Sequence, residues 1–184
     1  MSEELVVRAR GGDHAAFEQL AAASIDRLYA IARRVLRDQT SAEDAVQEAL
    51  VHAWRDLRAL RDPGRWEAWL YRLLLHACRD EQRRSGRRPQ TVEIGLLGGG
   101  ATPDASDAVG RRDQLERGFS RLSVDHRMVL SLHFFGGLRP AEIAELLGIP
   151  TGTATSRIHY GSRALRAAIE ADLVPSTAPT GAVK

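Results

Sequence analysis

The sequence predicts an all-α fold of two small helical domains joined by a flexible Gly-rich linker, the second domain carrying a helix-turn-helix. Apolar residues recur at helical spacing through two blocks, about 3–85 and 111–172. Neither block shows the strict alternation of a half-buried strand. Between them, residues 86–110 hold six glycines (86, 95, 98, 99, 100 and 110) with Pro89 and Pro103 and no helical apolar period, which is linker composition. The predicted organisation is therefore a first domain over 1–85, a linker over 86–110, a second domain over 111–172 and a disordered tail over 173–184.

In the first block, a short helix over Glu3–Arg10 stops at Gly11-Gly12, and Asp13 caps the next helix. That helix keeps its period through Phe17, Leu20, Leu28, Ile31, Ala32 and Val35. Thr40 or Ser41 is expected to start a third helix, with Glu43 as capping-box partner to Thr40. Its apolar positions include Ala45, Val46, Ala49, Leu50, Ala53 and Trp54. Asp62-Pro63-Gly64 is a turn. A fourth helix follows over about 65–84, with Trp66, Trp69, Leu70, Leu73, Leu74 and Ala77 on its apolar side.

In the second block, Leu115 and Phe119 belong to one segment and Val124–Phe135 to another. Pro140 then opens a helix at the position where its missing N–H is not needed. Ile143, Leu146 and Leu147 form its stripe, and Gly148 is placed to end it in a left-handed conformation. Ile149-Pro150 cannot continue the helix. Thr151 or Thr153 is expected to cap a second helix running from Gly152 to about Ala171. Helix, short glycine turn, helix is the pattern whose second helix enters the DNA major groove.

Bulk properties narrow the classes. The net charge is +2, and Lys184 is the only lysine, so 25 of 26 basic residues are arginine. Arginine presents a planar fork suited to phosphate and to guanine edges. Cys78 is the only cysteine, which rules out an internal disulfide and a cysteine zinc site and suits a reducing compartment. Its neighbours Leu74, Leu75 and Ala77 mark it as a packed, inert thiol. The acidic start lacks the apolar core of a signal peptide, and no run approaches the ~20 apolar residues of a membrane span. A cytoplasmic protein without membrane contact of its own is expected.

Two helices carry opposite charge. Residues 72–88 hold six arginines against Asp80 and Glu81, and two tryptophans, Trp66 and Trp69, stand at the start of the same helix. Cations beside aromatics suit single-stranded nucleic acid, through phosphate attraction and base stacking. The third helix instead carries Glu43, Asp44, Glu48 and Asp56, a face better suited to a protein partner. No Walker or dinucleotide glycine motif is present, and none of the six histidines forms a metal-ligand pair at helical spacing. His76 and Asp80, four apart, are the nearest approach to an acid–base or ligand pair, so no catalytic residue, metal or cofactor is expected.

Three segments together carry a family resemblance. Thr40-Ser-Ala-Glu-Asp-Ala-Val-Gln-Glu-Ala-Leu-Val-His-Ala-Trp54 resembles the core-polymerase-binding segment of bacterial RNA polymerase sigma factors of the sigma-70 family. Trp69-Leu-Tyr-Arg-Leu-Leu-Leu-His-Ala-Cys-Arg-Asp-Glu-Gln-Arg-Arg84 resembles their helix that melts the promoter and reads the −10 element. Leu122-Ser-Val-Asp-His-Arg-Met-Val-Leu and the stretch 148–157 resemble their −35-reading domain. Two domains and a short linker match the small extracytoplasmic-function (ECF) group.

This resemblance implies roles residue by residue. Asp44, Gln47, Glu48 and Trp54 would dock on core RNA polymerase, at the clamp helices of its largest subunit, and the polymerase flap is a further implied contact. The −10 strand would be captured by Trp66, Trp69, Arg72, His76, Arg79, Arg83 and Arg84 and the loop before them, with one base flipped into a pocket. Thr155, Ser156, Arg157, His159 and Tyr160 would face −35 bases in promoter DNA, while Thr151, Thr153, Arg163 and Arg166 would hold phosphates. An anti-sigma partner is also implied.

His76 stands where asparagine is common in the family, and Thr155 and Tyr160 where a basic residue is frequent. These departures leave the promoter sequence open but not the role, and the missing cations of the recognition helix imply a weaker salt dependence of the second domain. A stand-alone helix-turn-helix regulator would explain residues 140–171 but gives no reason for the acidic third helix or the Trp-and-Arg fourth helix. The two blocks are also expected to be able to pack together and cover both DNA surfaces.

Overall fold

A computed structural model of the chain describes residues 2–85 and 103–173. Among these residues every regular element is helical. The first domain holds α1 (Ser2–Arg10), α2 (His14–Leu36), α3 (Gln39–Asp56) and α4 (Trp66–Ser85), with short 3-10 turns over Leu57–Ala59 and Pro63–Arg65. The second holds α5 (Pro103–Ser120), α6 (Val124–Phe134), α7 (Pro140–Leu147) and α8 (Thr151–Leu173).

Several boundaries follow the expected chemistry. Asp13 is extended, and its carboxylate accepts a hydrogen bond from the Ala16 N–H at 3.1 Å. Asp62 accepts from the Gly64 N–H at 2.9 Å and tightens the turn before α4. Gly148 is left-handed at φ 66°, and its N–H and that of Ile149 both reach the Ala144 carbonyl. The start of α7 is fixed by Glu142, whose carboxylate accepts from the Arg139 backbone N–H at 2.7 Å and from its guanidinium at 2.9 Å. These bonds favour the ionised form and pull the Glu142 carboxyl down to about 2.

Other boundaries differ from expectation. Asp38, not Thr40 or Ser41, caps α3, because a carboxylate in an extended residue reaches the Ser41 N–H at 2.6 Å. Thr40 already lies inside the helix, so the box with Glu43 does not form. No threonine caps α8 either: Thr151 is its first residue, and the Pro150 carbonyl takes the N–H groups of Thr153 and Ala154. Helix α5 opens at Pro103, inside the stretch read as linker. Proline is well placed in a first helical turn, but Gly110 and the sparse apolar residues hid the period. The rest of that stretch, 86–102, and the tail from 174 lie outside the described residues.

In the first domain α4 lies along α3 and α2, burying Leu70, Leu74, Leu75, Ala77 and Cys78. In the second, α6, α7 and α5 pack on α8. Gly118 and Gly161 let these helices approach, since a Cβ at either would meet its neighbour at 3.0–3.3 Å. The two domains also touch through α2 and α6 and through α4 and α7. Arg127 of α6 is 6% exposed and donates to the Val35 carbonyl at the end of α2 from Nη2 (3.1 Å) and Nε (3.3 Å). Arg34 of α2 lies 3.8 Å over the Phe135 ring and 3.3 Å from the Glu116 carboxylate. A buried cation–π contact of this kind contributes on the order of 2 kcal/mol, against about 0–1 for an exposed ion pair.

Replacing the Asp38 cap by Asp38→Ala is expected to lower stability by about 1 kcal/mol in urea unfolding, and Thr40→Ala by far less. Hydrogen bonds from Ser41 hold the Asp38 carboxyl below its ordinary value of 3.8. Its stabilisation is therefore full above that value and is lost as pH falls through the depressed one, so the difference between wild type and Asp38→Ala shrinks in acid.

Candidate nucleic-acid and partner interface

Helix α4 has two faces of different chemistry. The buried face packs on α3, while Arg72, His76 and Arg83 form an exposed stripe at positions i, i+4 and i+11. Arg79 is half-buried on the flank of that stripe. Arg83 pairs with Asp80 at 3.4 Å, an exposed contact that leaves the guanidinium accessible. Arg84 turns towards α3 and pairs with Glu48 and Glu81, each at 3.3 Å. The two tryptophans part company. Trp69 is half-buried, but Trp66 is only 3% exposed and sits edge-on to Phe17 at 6.3 Å. Trp66 is thus a core residue that supports Trp69, whose ring centre lies 5.8 Å away, and it presents no face to a base. Cys78 is fully buried and desolvation pushes its thiol up to about 12, as the inert reading expects.

On α3, Asp44 and Gln47 are exposed and Glu48 is half-buried. His52 lies 3.9 Å from both Glu48 and Asp56, one turn away on either side. Gln47 and Trp54 line an apolar groove of about 700 Å³ between α2 and α3, with Phe17, Ile25, Tyr29 and Val51 among the other walls. The Trp54 ring centre lies 4.5 Å from that of His14, with the planes tilted by 40°, and 5.0 Å from that of Phe17. Sequence reasoning missed the α2 half of this groove. Its signal was Ile25 and Val51, large apolar residues off the core stripe, which are 44% and 49% exposed.

Helix α8 buries Ala154 and Gly161, with Ile158 and Leu165 packed against the core. The opposite side presents Thr151, Thr155, His159, Tyr160, Arg163 and Arg166 to solvent, with Thr153 and Ser156 partly covered. The Thr155 and Ser156 hydroxyls donate back to the carbonyls of Thr151 and Thr153, each at 3.0 Å, which leaves their oxygens as acceptors. The His159 and Tyr160 rings lie 5.4 Å apart. Arg157 lies on the flank instead. It pairs with Asp125 of α6 at 2.8 Å and lines a small cleft with Arg79 and Gln82 of α4. The structure therefore places the residues expected at −35 on one side of α8, apart from Arg157 on its flank, and those expected at −10 along α4, apart from buried Trp66 and from Arg84, which turns towards α3. The six arginines of 72–88 include Arg87 and Arg88, which lie outside the described residues.

Among the described residues, no group of three or more His, Cys, Asp or Glu side chains could hold a metal ion, and no helix is long and apolar enough to cross a membrane.

Comparison with known proteins agrees with this layout. Residues 20–88 match the family Sigma-70 region 2, and residues 112–165 match Sigma-70, region 4. The chain is 34% identical over 173 residues to the ECF RNA polymerase sigma factor SigL of Mycobacterium tuberculosis, covering 92% of each protein. It is 27% identical to the ECF RNA polymerase sigma factor SigW of Bacillus subtilis, covering 90% of this chain and 95% of the relative. Among solved structures it resembles CnrH in complex with the cytosolic domain of CnrY, with a TM-score of 0.68 and 29% identity over 93% of this chain and 98% of that one. With both domains matched in order and relatives aligned over nearly their full length, the chain belongs to the sigma-70 family of RNA polymerase sigma factors, in its ECF group.

Proposed function

We propose that this ECF sigma factor docks on core RNA polymerase through the α2–α3 face and reads the promoter with α4 and α8. The carrying observation is the division of α4, which buries its apolar side on α3 and leaves Arg72, His76 and Arg83 in one exposed stripe beside half-buried Trp69. A cationic stripe flanked by an aromatic suits a single strand of the −10 element. The exposed face of α8 offers Thr155, Ser156, His159 and Tyr160 to −35 bases, with Arg163, Arg166, Thr151 and Thr153 beside the phosphates. Asp44, Gln47, Glu48 and Trp54 serve the polymerase, the first by charge and the last as a wall of the apolar groove. Arg84 acts indirectly by joining α4 to Glu48, and Trp66 supports Trp69 from the core.

The chain carries no reaction or cofactor of its own in this reading, because nucleotide addition belongs to the polymerase. It works where the polymerase is, in the cytoplasm. The likeness to CnrH, solved with the cytosolic domain of a second protein, supports an anti-sigma partner that withholds the factor until it is needed.

Two sets of variants test these assignments. Asp44→Arg reverses an exposed charge without breaking an ion pair of the fold, and it is expected to weaken binding to purified core polymerase about tenfold or more. Unchanged binding would remove α3 from the docking surface. Thr155→Ala and His159→Ala are each expected to cost about 1–3 kcal/mol on a duplex carrying the −35 element, with a smaller loss on an unrelated duplex. Equal losses on both would mean that α8 positions the protein without reading bases.

A further inference from the structure

We infer that the cleft where α4 meets α6 and α8 is a binding site for a mononucleotide-sized ligand, a planar ring carrying one phosphate. The site is distinct from the apolar α2–α3 groove and from the exposed side of α8.

The cleft encloses about 270 Å³ and has two kinds of lining. Met128 of α6 and Ile149, just beyond α7, are apolar. Left-handed Gly148 turns the chain ahead of Ile149, whose N–H is then held by the Ala144 carbonyl at 3.0 Å. The polar lining is Arg79 and Gln82, three apart on one side of α4, with Asp125 of α6 and Arg157 of α8. Arg157 pairs with Asp125 at 2.8 Å, which fixes that guanidinium in place. Arg79 and Gln82 are half-buried, and among the described residues neither has an ion pair or a side-chain hydrogen bond. Two guanidiniums against one carboxylate leave the cleft with a single positive charge in excess.

This lining selects the class of ligand. A bare inorganic anion would satisfy the guanidiniums but leave Met128 and Ile149 wet, and a purely apolar molecule would leave the guanidiniums without an acceptor. A ligand with both parts meets both needs. A guanidinium grips phosphate through parallel N–H donors and also lies flat on an aromatic ring. A thioether such as that of Met128 makes favourable contact with a ring edge. The Gln82 amide supplies donors and an acceptor, and Asp125 a further acceptor, for the polar edge of a base. One excess positive charge suits one phosphate. Size sets the upper limit, because sites that enclose drug-sized ligands run from about 300 to 1,000 Å³. The cleft falls just below that range and so takes one nucleotide and no strand. On the reading of α4 proposed above, Arg79 also serves the −10 strand, so a bound nucleotide would compete for one of its cations.

The chain carries its own reporter. Its two methionines are Met1 and Met128, so isotope labelling of their methyl groups puts one NMR signal in the cleft and gives a second as reference. The full chain is titrated with adenosine monophosphate, guanosine monophosphate, the two parent nucleosides and inorganic phosphate. At least one monophosphate is expected to shift the Met128 methyl to saturation with a Kd below about 1 mM, and its nucleoside and inorganic phosphate to bind at least about tenfold more weakly. Arg79→Gln should weaken that monophosphate about tenfold and the milder Gln82→Ala about threefold. Arg58→Gln, the same loss of charge at an exposed residue that does not line the cleft, should change nothing. No shift of Met128 with either monophosphate at about 10 mM overturns the inference. So does equal affinity for monophosphate and inorganic phosphate, or an equal loss in Arg79→Gln and Arg58→Gln. These readouts use neither polymerase nor promoter, so their failure leaves the sigma-factor reading standing.

Discussion

The end of α2 is the point on which the arrangement of the molecule depends. A helix must find partners for its last carbonyls, and here one of them is supplied from the other domain by Arg127. Burial disfavours that guanidinium's charge, and nearby Arg37 adds to the effect, so the group is held by carbonyl dipoles and not by a carboxylate. Removing either side would strand a polar group in a covered place, which makes the contact specific.

Within the first domain, the link between surfaces is mechanical. Helices α3 and α4 share one core through Ala45, Ala49, Leu70, Leu74 and Cys78, and they are tied at the surface by Glu48 and Arg84. Glu81, 7% exposed, joins Arg84 to the Ser41 hydroxyl at the start of α3. A partner that shifts α3 therefore shifts α4, so the surfaces proposed for polymerase docking and strand capture stand on one packed pair. The second domain is simpler. Glu142 and Gly148 fix the two ends of α7, and Gly161 lets α8 approach α6, leaving the outer face of α8 free of structural duties.

Much of this was legible from residue types alone. Periodicity gave the helices, and Pro140 and Gly148 gave the bounds of the first helix of the pair, because those residues act through local backbone chemistry. What failed to show depended on distant partners. Asp38 outcompetes Thr40 as a cap because a charged acceptor holds the Ser41 N–H, and both types look equally suitable in sequence. Trp66 and Trp69 read alike until the fold places Phe17 against only one of them. Nothing local to Arg34 or Arg127 announces a carbonyl or a ring arriving from another domain. The exposed face of α8 was readable because it lies on one helix, and Arg157 turns from it because Asp125 comes from another.

Run-off transcription with purified core RNA polymerase, with and without the chain, on genomic fragments including its own upstream region, is the most direct measurement. Transcripts that appear only with the chain, from starts that share two upstream elements, are the result expected of a factor that reads with α4 and α8. Retained duplex binding by the chain alone, with no transcripts under any condition, would contradict it and leave a helix-turn-helix regulator in its place.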